Sequence, residues 1–175
     1  MNEEVVLLPD LRADEPDDLL QTVPGLYRVA FALTGNRPDA EDLVHTAVER
    51  YLAATQEGPA DLGAYLRRTM TNLHLNAVKR RGIHRRSMAT LRGDRQAPTA
   101  DLDLRPDIFS ALQTLAPLPR AVVVLRYLAD LPVDDVARTL GRPAGTVRRL
   151  AHHALAELRL SPTLRPFDEV SDDHE

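Results

Sequence analysis

The chain has 175 residues, 43% of them hydrophobic, which suits one ordinary domain or two small ones and argues against wholesale disorder. It has no cysteine, so a disulfide scaffold, a thiolate metal site and a cysteine nucleophile are excluded together. The net charge of −4 looks adverse to a polyanion until it is divided along the chain. Residues 1–18 hold seven acids and one Arg, and residues 161–175 hold five acids and one Arg. The middle therefore keeps 20 basic against 14 acidic side chains, a surplus of six. Within it, residues 67–95 carry nine Lys or Arg against Asp94 alone, and such a local stripe matters more to a nucleic acid than the total does. The opening MNEEVVLLPD has an acidic lead and only four consecutive apolar residues, unlike a signal peptide, and nothing reaches the length of a membrane span. A soluble cytoplasmic protein is expected by elimination.

Residues 1–15 read as a loosely ordered acidic arm. From Pro16, Leu19, Leu20, Val23, Leu26, Tyr27, Ala30 and Phe31 fall at helical spacing around a Pro24-Gly25 break, so two short helices or one kinked helix are expected. After Thr34-Gly35-Asn36, Asp39 reads as the cap of a helix with Ala40, Leu43, Val44, Ala47, Val48, Tyr51 and Leu52 on one face. Asp42 resembles the second half of an imperfect capping box. The opposite face, Glu41, Asp42, His45, Thr46 and Glu49, is an acidic strip. Gln56-Glu57-Gly58-Pro59 stops this helix. The next is expected from Asp61 to about Arg86, apolar at Leu62, Tyr65, Leu66, Met70, Leu73 and Val78 and ending in the basic run KRRGIHRR. Residues 87–106 lose periodicity and read as a linker. From Pro106 a helix carries Ile108, Phe109, Leu112 and Leu115. Pro117-Leu118-Pro119 then opens RAVVVLRYL, where the valine run alone fits a buried strand but prolines at a helix start and helical surroundings favour a helix.

Residues 131–159, LPVDDVARTLGRPAGTVRRLAHHALAELR, read as two helices joined by a tight turn. Val133, Val136, Ala137 and Leu140 recur at helical spacing, with Asp134 and Asp135 in the opening turn, where the helix dipole favours anions. Gly141 stands where a left-handed residue ends a helix most cheaply, and Pro143 suits the first position of a new one. That second helix has Val147, Leu150, Ala151, Ala154, Leu155 and Leu158 on one side. Thr146, Arg148, Arg149, His152 and His153 lie on the other. This is the pattern of a helix-turn-helix presenting a basic face to duplex DNA.

These stretches together resemble a sigma factor of bacterial RNA polymerase, of the extracytoplasmic-function (group IV) kind. LYRVAFALTGNRPDAEDLVHTAVERYLAA and AYLRRTMTNLHLNAVKRR are similar to the family's region 2, with DAEDLV the most specific part. LAPLPRAVVVLRYLADLPVDDVARTLGRPAGTVRRLAHHALAELR is similar to region 4. The resemblance implies an all-α protein of two small helical domains joined by a flexible linker. Region 2 would occupy 16–86, the linker 87–106 and region 4 107–160, with an acidic tail at 161–175. It implies that Asp39, Glu41, Asp42 and His45 face the clamp helices of core polymerase's largest subunit, whose flap would be a second contact. It implies that Arg67, Arg68, Asn72, Lys79, Arg80 and Arg81 engage the −10 promoter element, and that Thr146, Arg148, Arg149, His152 and His153 engage the −35 element. An anti-sigma factor is a further partner that the family admits. No cofactor or metal is implied.

Some positions depart from the family pattern. Tyr65 stands where Trp is frequent, and the chain has no Trp. Pro132 and Pro143 replace the usual polar caps, Leu150 stands where Arg is common, and His152-His153 follow where Ser or Arg are usual. The promoter sequence therefore does not carry over. Against catalysis, none of the six histidines falls in an HExxH or a spaced carboxylate–histidine set, so no catalytic residue is expected. The other reading is a stand-alone helix-turn-helix regulator, which would leave DAEDLV unexplained.

Overall fold

The computed structural model describes residues 15–54, 61–85 and 105–164, and among these every regular element is helical. Most of the expected acidic arm, linker and acidic tail lies outside the described residues. Helix α1 spans Glu15–Thr34 and runs unbroken through Pro24. Its second half is held by burial of Leu26, Val29, Ala30, Phe31 and Leu33, and such packing outweighs one lost backbone hydrogen bond.

Helix α2 spans Arg37–Ala54 and begins two residues before Asp39, which corrects the expected cap. The capping residue is Asn36: its Oδ1 accepts the Asp39 N–H at 2.9 Å, and its Nδ2 donates to Asp39 Oδ2 at 3.0 Å. Asp39, three residues on, accepts from the side-chain amide of the cap and not from its backbone N–H, so the arrangement is half a capping box, shifted from the one expected. Helix α3 spans Leu62–Arg85, and Asp61 Oδ1 accepts the Ala64 N–H at 2.8 Å at its start. The three helices close over Leu26, Phe31, Leu33, Leu66 and Met70.

The second half contains α4 (Pro106–Leu112), α5 (Pro117–Val123), α6 (Val133–Leu140) and α7 (Ala144–Arg159). The valine run is helical. Beyond Val123 it widens into a π-helical turn over Val124–Leu128, where the Ala129 N–H reaches back five residues to the Val124 carbonyl at 3.0 Å. Between α6 and α7, Gly141 takes the left-handed conformation, φ 60° and ψ 40°. Pro143 caps α7 with extended ψ and so stands one residue earlier than expected. Val122, Leu125, Val136 and Val147 make a small core under the turn motif. Order continues past Ser161, which is buried, into a 3-10 turn at Pro162–Leu164 against α4.

The two halves share one continuous hydrophobic core. Phe31 of α1 stacks on Phe109 of α4, ring centroids 4.7 Å apart. Gln113, itself buried, donates to the Ala32 carbonyl at 2.9 Å, and Arg120 donates to the Leu33 carbonyl at 2.9 Å. The same guanidinium holds Gln113 Oε1 at 2.7 Å and the Leu115 carbonyl at 3.0 Å. Two carbonyls at the C-terminal end of α1, which have no partner within their own helix, are thereby satisfied from the other half. Gly35, at φ 85°, makes the approach possible: a Cβ there would lie 2.6 Å from Gln113 Oε1. Helix α6 also packs on α3.

Candidate nucleic-acid and polymerase interfaces

Helix α7 buries Val147, Ala154 and Leu158 and leaves Arg148, Arg149, His152 and His153 exposed, with Thr146 half-buried. The five expected residues thus lie together on the outer surface of the second helix of the turn motif. Among the described residues Arg148 and Arg149 have no ion-pair partner, so neither charge is neutralised. The rings of His152 and His153 meet edge to face at 5.8 Å. Arg142, exposed in the turn itself, extends the basic surface and was missed because turn residues carry no periodicity.

The α3 set is divided by the helix. At about 100° per residue, Arg68, Asn72 and Lys79 fall within about 40° of one another and form one face. Arg68 and Lys79 are exposed and Asn72 half-buried. Arg80 is exposed about 100° further round. Arg67 and Arg81 lie on the side that carries buried Met70 and His74. Arg81 reaches Asp39 Oδ2 at 3.8 Å, tying the end of α3 to the start of α2. Arg67 is half-buried in a cavity between α1 and α3. Tyr65 is half-buried against Tyr51 at 5.8 Å between ring centroids.

On α2, Glu41, Asp42 and His45 are exposed on one side, while Asp39 is half-buried in the cap. Glu41 pairs with Arg37 at 2.8 Å, and His45 Nε2 lies 3.0 Å from Glu49 Oε1. Glu49, already part of the strip by spacing, is exposed beside His45. His74 had no role in the sequence reading. It lies 6% exposed beneath the seam, and burial pushes its imidazole down to about 4, with further lowering from the Arg120 and Arg81 charges against Asp39. Its Nε2 is buried with no hydrogen-bond partner among the described residues.

The geometry offers two cationic surfaces and one acidic strip, and among the described residues no cluster of side chains that could hold a metal ion. No helix of the described residues is long and apolar enough to cross a membrane. Residues 15–83 match the family model "Sigma-70 region 2", and residues 107–158 match "Sigma-70, region 4". The RNA polymerase sigma-E factor of Streptomyces antibioticus is 33% identical over 169 residues, covering 94% of this chain and 89% of that protein. The ECF RNA polymerase sigma factor SigE of Mycolicibacterium smegmatis is 36% identical over 154 residues, covering 82% of this chain, which spans only 60% of that protein. Among solved structures, the sigma factor RpoE of Bartonella quintana, crystallised with the anti-sigma factor NepR, superposes with a TM-score of 0.68 at 24% identity, covering 82% of this chain and 92% of that one, a likeness of fold. Two matched regions in order, and relatives of this identity and coverage, place the chain in the extracytoplasmic-function family of RNA polymerase sigma factors.

Proposed function

We propose that this chain binds core RNA polymerase and directs promoter-specific initiation, acting as a cytoplasmic DNA-binding regulator with no catalysis of its own. The observation that carries this reading is the pairing of an unneutralised basic face on α7 with a second cationic face on α3 in one chain. Arg148 and Arg149, with Thr146, His152 and His153, read base edges of the −35 element in the major groove. Arg68, Asn72 and Lys79 meet the −10 strand, Arg80 and Arg81 supply phosphate contacts beside them, and Arg67 assists from its cavity. Glu41, Asp42 and His45, with Asp39 behind them, dock on the clamp helices, and the 107–160 unit on the flap. The 16–86 and 107–160 units work as separate readers once bound, and the 87–106 segment is their tether. An anti-sigma factor, of the kind crystallised with the Bartonella relative, is a partner of the free form.

This reading requires the seam to part. Elements at −10 and −35 are about 25 base pairs apart, or roughly 85 Å of duplex. Helix α7 is 16 residues, about 24 Å long, and α6 packs directly on α3, so the closed chain is too short to meet both elements. The 19 residues from 86 to 104 have a covalent reach of about 70 Å, and two helical units extend that span far enough. The test is run-off transcription by core polymerase with and without the chain, from a randomised promoter pool. Enrichment of one two-part sequence is expected; transcription no different from core alone would overturn the proposal.

A further inference from the structure

A cavity of about 400 Å³ opens at the seam, where α1 and the start of α3 meet the end of the π-helical turn. Arg28 and Arg67 both line it, and Leu128 and Ala129 of the other half form its far wall. The two guanidinium groups have no ion pair or hydrogen bond among the described residues, and the Nε atom of each is buried without a partner. Arg67 folds back over the first turn of its own helix: a Cβ at Gly63 would lie 3.0 Å from its Nη1 and 3.5 Å from its Cζ and Nη2. Gly63 is a poor helix former, and its missing side chain leaves the space that the guanidinium fills.

The electrostatics of this arrangement are incomplete as it stands. A cation over the first turn of α3 sits at the positive end of the helix dipole, where a negative charge is favoured. Arg28 adds a second positive charge to the same cavity. Among the described residues Asp61 is the acid that lines it, and one of its oxygens already accepts the Ala64 N–H. Two cations at the positive end of the helix dipole thus face, among the described residues, one partly engaged carboxylate, a positive surplus, while the Ala64 and Tyr65 amides are already taken up by Asp61.

We propose that this cavity binds a small oxyanion of the phosphate type, held by Arg28 and Arg67 at the start of α3. Guanidinium forks match tetrahedral phosphate oxygens, and the positive end of the helix dipole favours the same negative charge. Because Leu128 and Ala129 close one side, the bound anion also favours the joined form of the two halves. The site stands on its own geometry and does not depend on the sigma-factor reading.

The test is a titration of the full chain with inorganic phosphate at constant ionic strength, followed by calorimetry and by thermal unfolding against a chloride control. Saturable binding and a rise in Tm are expected. Arg28→Gln and Arg67→Gln should each weaken binding at least tenfold. Gly63→Ala is a milder variant: its Cβ, 3.0 Å from Nη1, crowds the guanidinium while improving the helix, so the phosphate response should weaken with no loss of stability in chloride. A nucleoside monophosphate run in parallel separates the two sources; competition assigns the site to phosphate monoesters, and its absence to the free ion. No saturable phosphate binding, or binding unchanged in both arginine variants, would overturn the proposal.

Discussion

Arg148 and Arg149 follow each other on α7, both exposed and, among the described residues, without an ion-pair partner, while Val147 before them is buried. If they contact bases, Arg148→Ala and Arg149→Ala should each weaken −35 recognition by about 1–3 kcal/mol and relax sequence preference. If they touch phosphates alone, the loss is uniform across sequences and the salt slope falls. Promoter activity measured on the double variant decides between them; an unchanged activity would remove α7 from the mechanism. His74 makes a different kind of prediction. Its folded-state value of about 4 lies below the ordinary 6.5, so between these the unfolded chain binds the proton more readily. The stability contributed by neutral His74 is fully present above pH 6.5 and is lost as pH falls towards 4, by up to about 3 kcal/mol. Denaturant unfolding from pH 7 to pH 4 should show this slope, and His74→Gln should flatten it.

At the scale of elements, α2 and α7 were legible because their apolar residues repeat at the helical period over four turns. The start of α2 was not, because Asn36 and Asp39 are both good capping residues and only the hydrogen bonds decide which one caps. The π-helical turn was invisible for a related reason: one extra residue in a helix changes the bonding pattern and not the residue types. The two helical units were legible, but the seam between them was not. Gln113 and Arg120 reach partners 81 and 87 residues away, and nothing local marks a polar residue for such a contact. Hydrogen bonds from a charged donor are worth about 1.5–3 kcal/mol each, so Arg120→Ala should shift the halves towards the open form. The chain lacks cysteine, so spin labels at Arg50→Cys and Glu157→Cys, both exposed, report the separation directly. A single short distance is expected in the parent and a broad, longer distribution in the Arg120→Ala variant with helicity retained. An unchanged distribution would mean that the Phe31–Phe109 core alone holds the seam.

For the whole molecule, charge is segregated into an acidic strip on α2 and basic faces on α3 and α7. The α2 strip is exposed and its Arg37–Glu41 pair is a surface pair, so Glu41→Lys with Asp42→Lys should cost only about 0.5 kcal/mol in stability. Capture of core polymerase by that double variant should fall far more steeply, and wild-type capture would reduce the strip to a solubility device. The acidic ends, twelve acids against two Arg, oppose a middle surplus of six, and the seam holds the two basic faces on one small body. Free chain should therefore gain little from counterion release and nothing from two-point binding until polymerase parts the halves. The measurement that tests this most directly is a titration of labelled promoter duplex at near-physiological salt, against a scrambled duplex, with and without core polymerase. Weak, sequence-indifferent binding by the free chain and tight, specific binding with core are expected. Tight and specific binding by the free chain alone would contradict the sigma mechanism and favour a stand-alone regulator.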